Sequence, residues 1–180
     1  TPKYQSVWPK TNGTMYINQQ WLDAVNMEMP TTWDELEAVL KAFKEQDANG
    51  NGDPNDEIPM DFNGGFNGAY SLQHFLGSTG MQLTGPNPNG YFAEDGVVKN
   101  YYVDERFKRV VKFVQRLWSQ GLINEEAITQ DYSKFQSVAR GEGDVAKVGF
   151  TWGWEKGDRF GTELPDQYVS VPQLKETADT

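Results

Sequence analysis

Residues 47 to 59 read Asp47-Ala48-Asn49-Gly50-Asn51-Gly52-Asp53-Pro54-Asn55-Asp56-Glu57-Ile58-Pro59, a run of carboxylate and carbonyl oxygens broken by glycines. Asn, Gly, Asp and Pro are turn formers, so the run must be a loop between two elements. Acids and amides at alternate positions of a tight loop can all point at one centre, which suits the six to eight oxygens that a calcium ion requires. Asp47, Asn49 and Asn51 supply that alternation, and Gly52 stands sixth, where an EF-hand loop needs glycine for its sharp turn. The second half departs from that pattern. The twelfth residue is Ile58 in place of a bidentate glutamate, and the closing acids are Asp56 and Glu57. The spacing predicts a calcium loop that is not an EF-hand; the plainer alternative is a solvated turn after a helix.

A length of 180 residues suits one domain with a sizeable core, or one lobe of something larger. Sixteen basic and 26 acidic residues give a net charge of -10, which argues against nucleic acid or an anionic membrane as partner. Cysteine is absent, which excludes a disulfide framework and thiol chemistry. No apolar stretch approaches the length of a membrane span, no basic leader region is visible and the chain opens at Thr1. A soluble polypeptide, trimmed from a longer one, is expected. Aromatic residues make up 13% of an otherwise polar chain, so some rings are expected to work at the surface.

Hydrophobic periodicity divides the chain into short elements. A strand is expected at Met15-Tyr16-Ile17, then a helix carrying Trp21, Leu22 and Val25 and stopping near Asn26. Thr32-Trp33-Asp34-Glu35 is a capping box, and Trp33, Leu36, Val39, Leu40 and Phe43 give the following helix a buried face that leads into the oxygen-rich loop. A third helix is expected over residues 69–78. Tyr91-Phe92 and Val97-Val98 flank Glu94-Asp95-Gly96 as a hairpin. The longest helix should begin near Asp104 and end at Gly121, with Phe107, Val110, Val111, Val114, Leu117 and Trp118 on its inner face. Tyr132 to Arg140 reads as a shorter helix, Val145 to Phe150 as a buried strand, and Tyr168 to Val171 as one more.

Several of these blocks, taken in order, resemble the extracellular solute-binding proteins, family 1, of bacterial ABC importers. They are Tyr16-Ile17-Asn18 with Trp21-Leu22, Pro30-Thr31-Thr32-Trp33-Asp34-Glu35-Leu36, Ala42-Phe43-Lys44 with the loop through Asp56-Glu57-Ile58-Pro59, Asp95-Gly96-Val97-Val98, and Leu117-Trp118-Ser119-Gln120-Gly121-Leu122-Ile123. The resemblance spans residues 16 to 148 and implies an α/β fold: one lobe of a type II periplasmic-binding-protein-like architecture, helix-rich with a small mixed sheet. It implies that residues 1–180 form a single lobe, the second, of a monomeric two-lobe protein. It further implies an extracellular, lipoprotein-anchored setting, a mono- or oligosaccharide as solute, and an ABC permease as membrane partner. Structural Ca²⁺ would be held by Asp47, Asn49, Asn51, the main chain of Asp53, Asp56 and Glu57. The gap between Gly52 and the acidic pair is one residue longer than the family's usual spacing, which leaves Asn55 as an alternative closing ligand.

Sugar sites lay aromatic rings on the apolar faces of pyranoses and bond hydroxyls with planar amides and acids. Trp21, Trp33 and Trp118 fall on inward helix faces and are expected in the core. Trp8, Trp152 and Trp154 lie outside helices, and Trp152-Gly153-Trp154 at a strand end would put both indoles on one side as a stacking platform; packing against the core or a missing lobe is the competing reading. Asn63, Asn67 and Arg159 are the polar candidates. Two further classes compete with solute capture: a calcium-bearing glycoside hydrolase and a dockerin-like interaction module. The first calls for a catalytic carboxylate pair in a recognisable setting, and adjacent Glu125-Glu126 reads better as a helix start; the second calls for a duplicated loop, and one copy exists. No nucleophile triad, P-loop, dinucleotide fingerprint or zinc spacing is visible.

Overall fold

The computed structural model describes residues 14–64, 70, 72–83 and 89–179. Trp8 and Asn67 lie outside these residues. The elements run β1 (Thr14–Asn18), α1 (Gln19–Ala24), α2 (Trp33–Glu45), β2 (Ile58–Met60), α3 (His74–Gly77), β3 (Tyr91–Glu94), β4 (Val97–Asn100), α4 (Glu105–Ser119), α5 (Tyr132–Ala139), β5 (Val148–Gly153), α6 (Lys156–Phe160) and β6 (Tyr168–Ser170). Four strands form one mixed sheet in the order β2-β5-β1-β6, with β2 parallel to β5 and β1 antiparallel to both of its neighbours. The architecture is the helix-rich α/β arrangement with a small mixed sheet that the sequence implies.

Every residue of β5 is buried, because helices and loops cover both faces of this inner strand. Helix α2 seats on it directly. A Cβ at Gly149 would collide with the Phe43 ring and the Pro59 carbonyl, so glycine is what lets helix and strand approach this closely. The capping box forms as read: Thr32 Oγ1 accepts from the Glu35 amide at 3.3 Å while Glu35 Oε2 accepts from the Thr32 amide at 3.2 Å. This cap starts a helix whose Trp33 ring stacks on Phe113 of α4 at 4.6 Å and whose indole N–H donates to Ser78 Oγ at 2.7 Å.

Helix α4 corrects one expectation. Its buried residues are Val110, Phe113 and Leu117, whereas Val111 and Trp118 are 39% and 38% exposed. Phe113, held between Trp33 and Phe75, fixes the rotation of the helix and turns Val111 and Trp118 about 100° away from the core. The β3–β4 hairpin turns through Asp95 and Gly96, both at positive φ, and is tied to α4 by Arg106, which reaches Glu94 at 2.7 Å and Asp104 at 2.8 Å.

Three boundaries differ from the reading. Within the described residues, α3 covers His74–Gly77 instead of a helix from residue 69. Strand β5 begins at Val148, later than Val145, since Glu142 and Val145 close a tight turn around Gly141 and Gly143. Glu125 and Glu126 sit in a run of turns after Asn124, whose side chain accepts from the Glu126 amide, and open no helix. No described helix is long and apolar enough to cross a membrane.

Candidate functional site

Strand β2 separates two clusters of oxygen-bearing side chains, one before it and one after it. The first is the loop that follows α2. Both Asp47 oxygens fold back onto the chain, accepting from the amides of Asn51 at 3.0 Å and Gly52 at 2.9 Å. Asn49 Oδ1 also accepts from the Asn51 amide, and Asn51 Oδ1 accepts from the Asp53 amide. Gly50 and Gly52, at φ +71° and +91°, allow this tight winding. Asp56 lies across the loop and receives the Asn49 and Asn51 side-chain amides at 2.9 and 2.8 Å, one on each oxygen. Glu57 is buried. Its Oε1 accepts a long 3.4 Å bond from the Asn49 amide, and its Oε2 has no hydrogen-bond partner. Burial pushes the Glu57 carboxyl up from its ordinary pKa, and the Asp56 and Asp47 charges push it the same way.

Asn55 turns away from this circle, donating its side-chain amide to Asp53 Oδ1 at 3.2 Å on the exposed side. Hydrogen bonds from Asn49 and Asn51 to Asp56 and Glu57 draw the two halves of the loop together. Among the described residues, no Lys, Arg or His side chain forms a salt bridge with Asp47, Asp53, Asp56 or Glu57, and no three His, Cys, Asp or Glu side chains are grouped as a metal cluster. The asparagine amides bridge the acids instead. The donor chemistry nevertheless suits a hard cation: oxygens wound around one centre, excess negative charge, and a buried carboxylate oxygen without a partner.

The second cluster begins at Asp61, directly after β2, and is fully buried. Asp61 Oδ1 accepts from Asn124 Nδ2 at 2.9 Å and Gln130 Nε2 at 2.7 Å, while Oδ2 faces Arg159 Nη2 at 3.6 Å. Arg159 projects from α6 and is 1% exposed. It donates from Nη1 to the Phe135 carbonyl at 2.5 Å and to Gln136 Oε1 at 3.2 Å, and from Nη2 to Thr151 Oγ1 at 2.9 Å. Its guanidinium carbon also lies 3.4 Å from the centre of the Phe135 ring. Burial raises the Asp61 pKa and lowers that of Arg159 to about 10, so desolvation outweighs an attraction acting over 3.6 Å. Three buried atoms of this cluster lack hydrogen-bond partners: Asp61 Oδ2, Gln130 Oε1 and Arg159 Nε. Two accept and one donates; Trp152 Nε1, also without a partner, belongs to the next residue of β5 after Thr151, and successive side chains of a strand point to opposite faces. In open parallel sheets, ligands bind outside the carboxyl ends of strands, and this cluster lies at the carboxyl ends of parallel β2 and β5.

The structure separates the expected tryptophan pair. Trp152 is buried on β5, edge-on to Phe62, Phe75 and Phe150, whereas Trp154 lies past the strand end and is 45% exposed. The strand stops at Gly153 and Glu155 caps α6, so the alternation that would put both indoles on one side is lost. Arg159 is enclosed by the partners named above. Asn63 is half-buried and donates its side-chain amide to the Gln130 carbonyl at 3.3 Å. Asp61, Asn124 and Gln130 escape a reading by motif, although an acid following the short Ile58-Pro59-Met60 run would have marked a strand end.

No protein-family profile matches the chain. The fructooligosaccharide ABC transporter substrate-binding protein FusA of Streptococcus pneumoniae is 37% identical over 142 residues, which cover 78% of this chain and 25% of FusA. An extracellular solute-binding protein from Bifidobacterium longum subsp. infantis superimposes with a TM-score of 0.81 at 40% identity, covering 92% of this chain and 34% of that one. Over most of its length the chain is similar to a part of extracellular solute-binding proteins. FusA in complex with kestose gives a TM-score of 0.79 at 32% identity over 92% of this chain and 32% of FusA. An EF-hand mutant of FusA has also been solved, with fructo-nystose, and matches at 31% identity and a TM-score of 0.79 over 93% of this chain and 32% of FusA. The chain spans about a quarter of the curated relative and about a third of the solved ones.

Proposed function

We propose that this chain is one lobe of a non-catalytic capture protein for an ABC importer, which takes a carbohydrate at the carboxyl ends of β2 and β5. The observation that carries this reading is a buried set of polar atoms around Asp61 and Arg159 that lack hydrogen bonds, Asp61 Oδ2 and Gln130 Oε1 as acceptors and Arg159 Nε as a donor. A polyhydroxylated solute, each of whose hydroxyls both donates and accepts, matches such a set. FusA takes fructooligosaccharide, and the shared fold makes a sugar the preferred class for this lobe. The permease partner and the extracellular, lipid-anchored setting follow from the same kinship; one curated relative is the lipoprotein LipO of Bacillus subtilis. Trp154, Asn63 and the segments bearing Trp8 and Asn67 remain candidate ligand contacts, whereas Trp152 and Arg159 would act from beneath the surface.

In this reading Asp47, Asn49, Asn51, the main chain of Asp53, Asp56 and Glu57 hold Ca²⁺. The ion supplies positive charge that relieves the crowded carboxylates and fixes the approach to β2. Its role is structural. Calorimetric titration with kestose, fructo-nystose and a human milk oligosaccharide mixture tests the capture reading. Saturable binding of at least one is expected; no heat from any of them refutes the carbohydrate assignment, and hydrolysis of any of them refutes the non-catalytic one.

A further inference from the structure

Tyr132 is the first residue of α5, whose start is fixed by Asp131 accepting from the Lys134 amide, and its side chain is 48% exposed. Its ring stacks on Tyr70 with centroids 6.2 Å apart and planes inclined by 24°. Tyr70 is stacked at the same inclination on Phe135, 6.1 Å away, and Phe135 carries the Arg159 guanidinium. A continuous ladder of rings thus runs from the surface down to the Asp61–Arg159 pair. Asn63 braces it from the side: its main-chain amide donates to the Tyr70 carbonyl at 3.1 Å, and its side chain donates to the carbonyl of Gln130, close before Tyr132 in the chain.

We propose that Tyr132, backed by Tyr70, is the platform on which a sugar ring lies, with Asn63 as the residue that positions it. The inference rests on the carbohydrate reading above and adds the contact surface. A single half-exposed tyrosine needs no explanation, since such residues are common. This one differs because its ring is held in place by a second ring, and because the stack behind it ends on the buried Arg159 guanidinium. Stacking places the C–H face of a pyranose or furanose on the ring while the ring edge directs hydroxyls towards amide and carboxylate oxygens. Trp152 is sealed beneath and cannot serve as this surface. Of the other exposed rings among the described residues, Tyr91, Tyr102 and Trp118 belong to the hairpin, the turn after it and α4, whereas Trp154 lies just past the end of β5 and, with no ring stacked behind it among the described contacts, is the second candidate surface.

The test is titration of the wild-type chain and of Tyr132→Ala, Tyr132→Phe and Tyr91→Ala with kestose and fructo-nystose, alongside thermal melts. Tyr132→Ala should weaken binding about tenfold or more, whereas Tyr132→Phe, which keeps the ring, should stay within about threefold of wild type. Tyr91→Ala should bind as wild type does. Wild-type affinity in Tyr132→Ala overturns the platform while leaving the carbohydrate reading intact. Should Tyr132→Ala melt far below wild type, Tyr132→Trp decides the matter: retained affinity supports stacking, and lost affinity in both Tyr132→Phe and Tyr132→Trp overturns it. Failure of the wild-type chain to bind either sugar removes the carbohydrate reading and the platform with it.

Discussion

Replacing Arg159 by methionine keeps the length of the side-chain stem and removes its charge. Three hydrogen bonds disappear, to Phe135, Gln136 and Thr151, and Asp61 is left as a buried carboxylate with no cation facing it. Breaking one side of a buried pair costs about 3–5 kcal/mol, chiefly because the remaining charge has no solvent and no partner. For a domain of this size each kcal/mol lowers Tm by about 2–4 °C, so a fall of roughly 6–20 °C is expected. The pH dependence has a definite sign. Burial already raises the Asp61 pKa, and losing Arg159 raises it further, above the unfolded value of about 3.9. The penalty is therefore full above the folded-state pKa and shrinks as pH falls through it, because protonation neutralises Asp61. Urea denaturation of wild type, Arg159→Met, Asp61→Asn and the double variant, repeated between pH 7 and pH 4, measures both effects. The double variant should be more stable than the sum of the single losses by about 0.5–3 kcal/mol. A loss below about 1 kcal/mol in Arg159→Met, or a deficit that grows on acidification, would refute the buried-pair argument.

Three other measurements probe separate parts of the molecule. Calcium at about a hundredfold excess over its Kd should stabilise the chain by about 2.7 kcal/mol, or roughly 5–11 °C in Tm, reversed by EDTA and absent in Asp56→Ala; equal melts with calcium and with chelator would remove the metal from the account. Arg106 holds Glu94 and Asp104 at about 2, below their ordinary values, so the hairpin's ion pairs contribute above about pH 4.5 and are lost as pH falls towards 2. Wild type should consequently lose more Tm over that interval than Arg106→Met does, and parallel curves would count against this role. Gly149→Ala should cost about 1–3 kcal/mol in urea denaturation, as the added methyl meets Phe43 and the Pro59 carbonyl; an unchanged midpoint would mean that α2 is not seated as described.

What could be read in advance were features whose cause is local. The Thr32–Glu35 cap depends on residues three apart, the Asp95-Gly96 turn on two adjacent residues at positive φ, and the loop winding on alternating Asp and Asn side chains. The site at the carboxyl end of β2 was not legible in this way. Asp61, Asn124, Gln130 and Arg159 come from segments scattered over the chain, and only the parallel pairing of β2 with β5 brings them together. Strand β2 itself leaves no mark in the sequence, since Ile58-Pro59-Met60 is too short to show a period. The sequence pattern puts Trp118 inside for a related reason: the helical spacing of Val111 and Trp118 is as regular as that of Val110 and Leu117, and Phe113, a contact partner of another helix, decides which face is buried.

Strand β2 also decides how the two clusters should be divided in function. Glu57 precedes it and Asp61 follows it, four residues on, so β2 separates them by about 13 Å at a rise near 3.3 Å per residue. Charge on the loop cannot act as a ligand contact at the far end of the strand, and at physiological ionic strength an exposed charge is largely screened over such a distance. Position can be transmitted where charge is not. The strand is hydrogen-bonded to β5 with Ile58 opposite Val148 and Met60 opposite Phe150, so fixing the loop at Glu57 fixes the register that delivers Asp61 to Asn124, Gln130 and Arg159. The loop's consequence for binding is then one of alignment: its loss would loosen the polar cluster and weaken affinity without changing which hydroxyls are read.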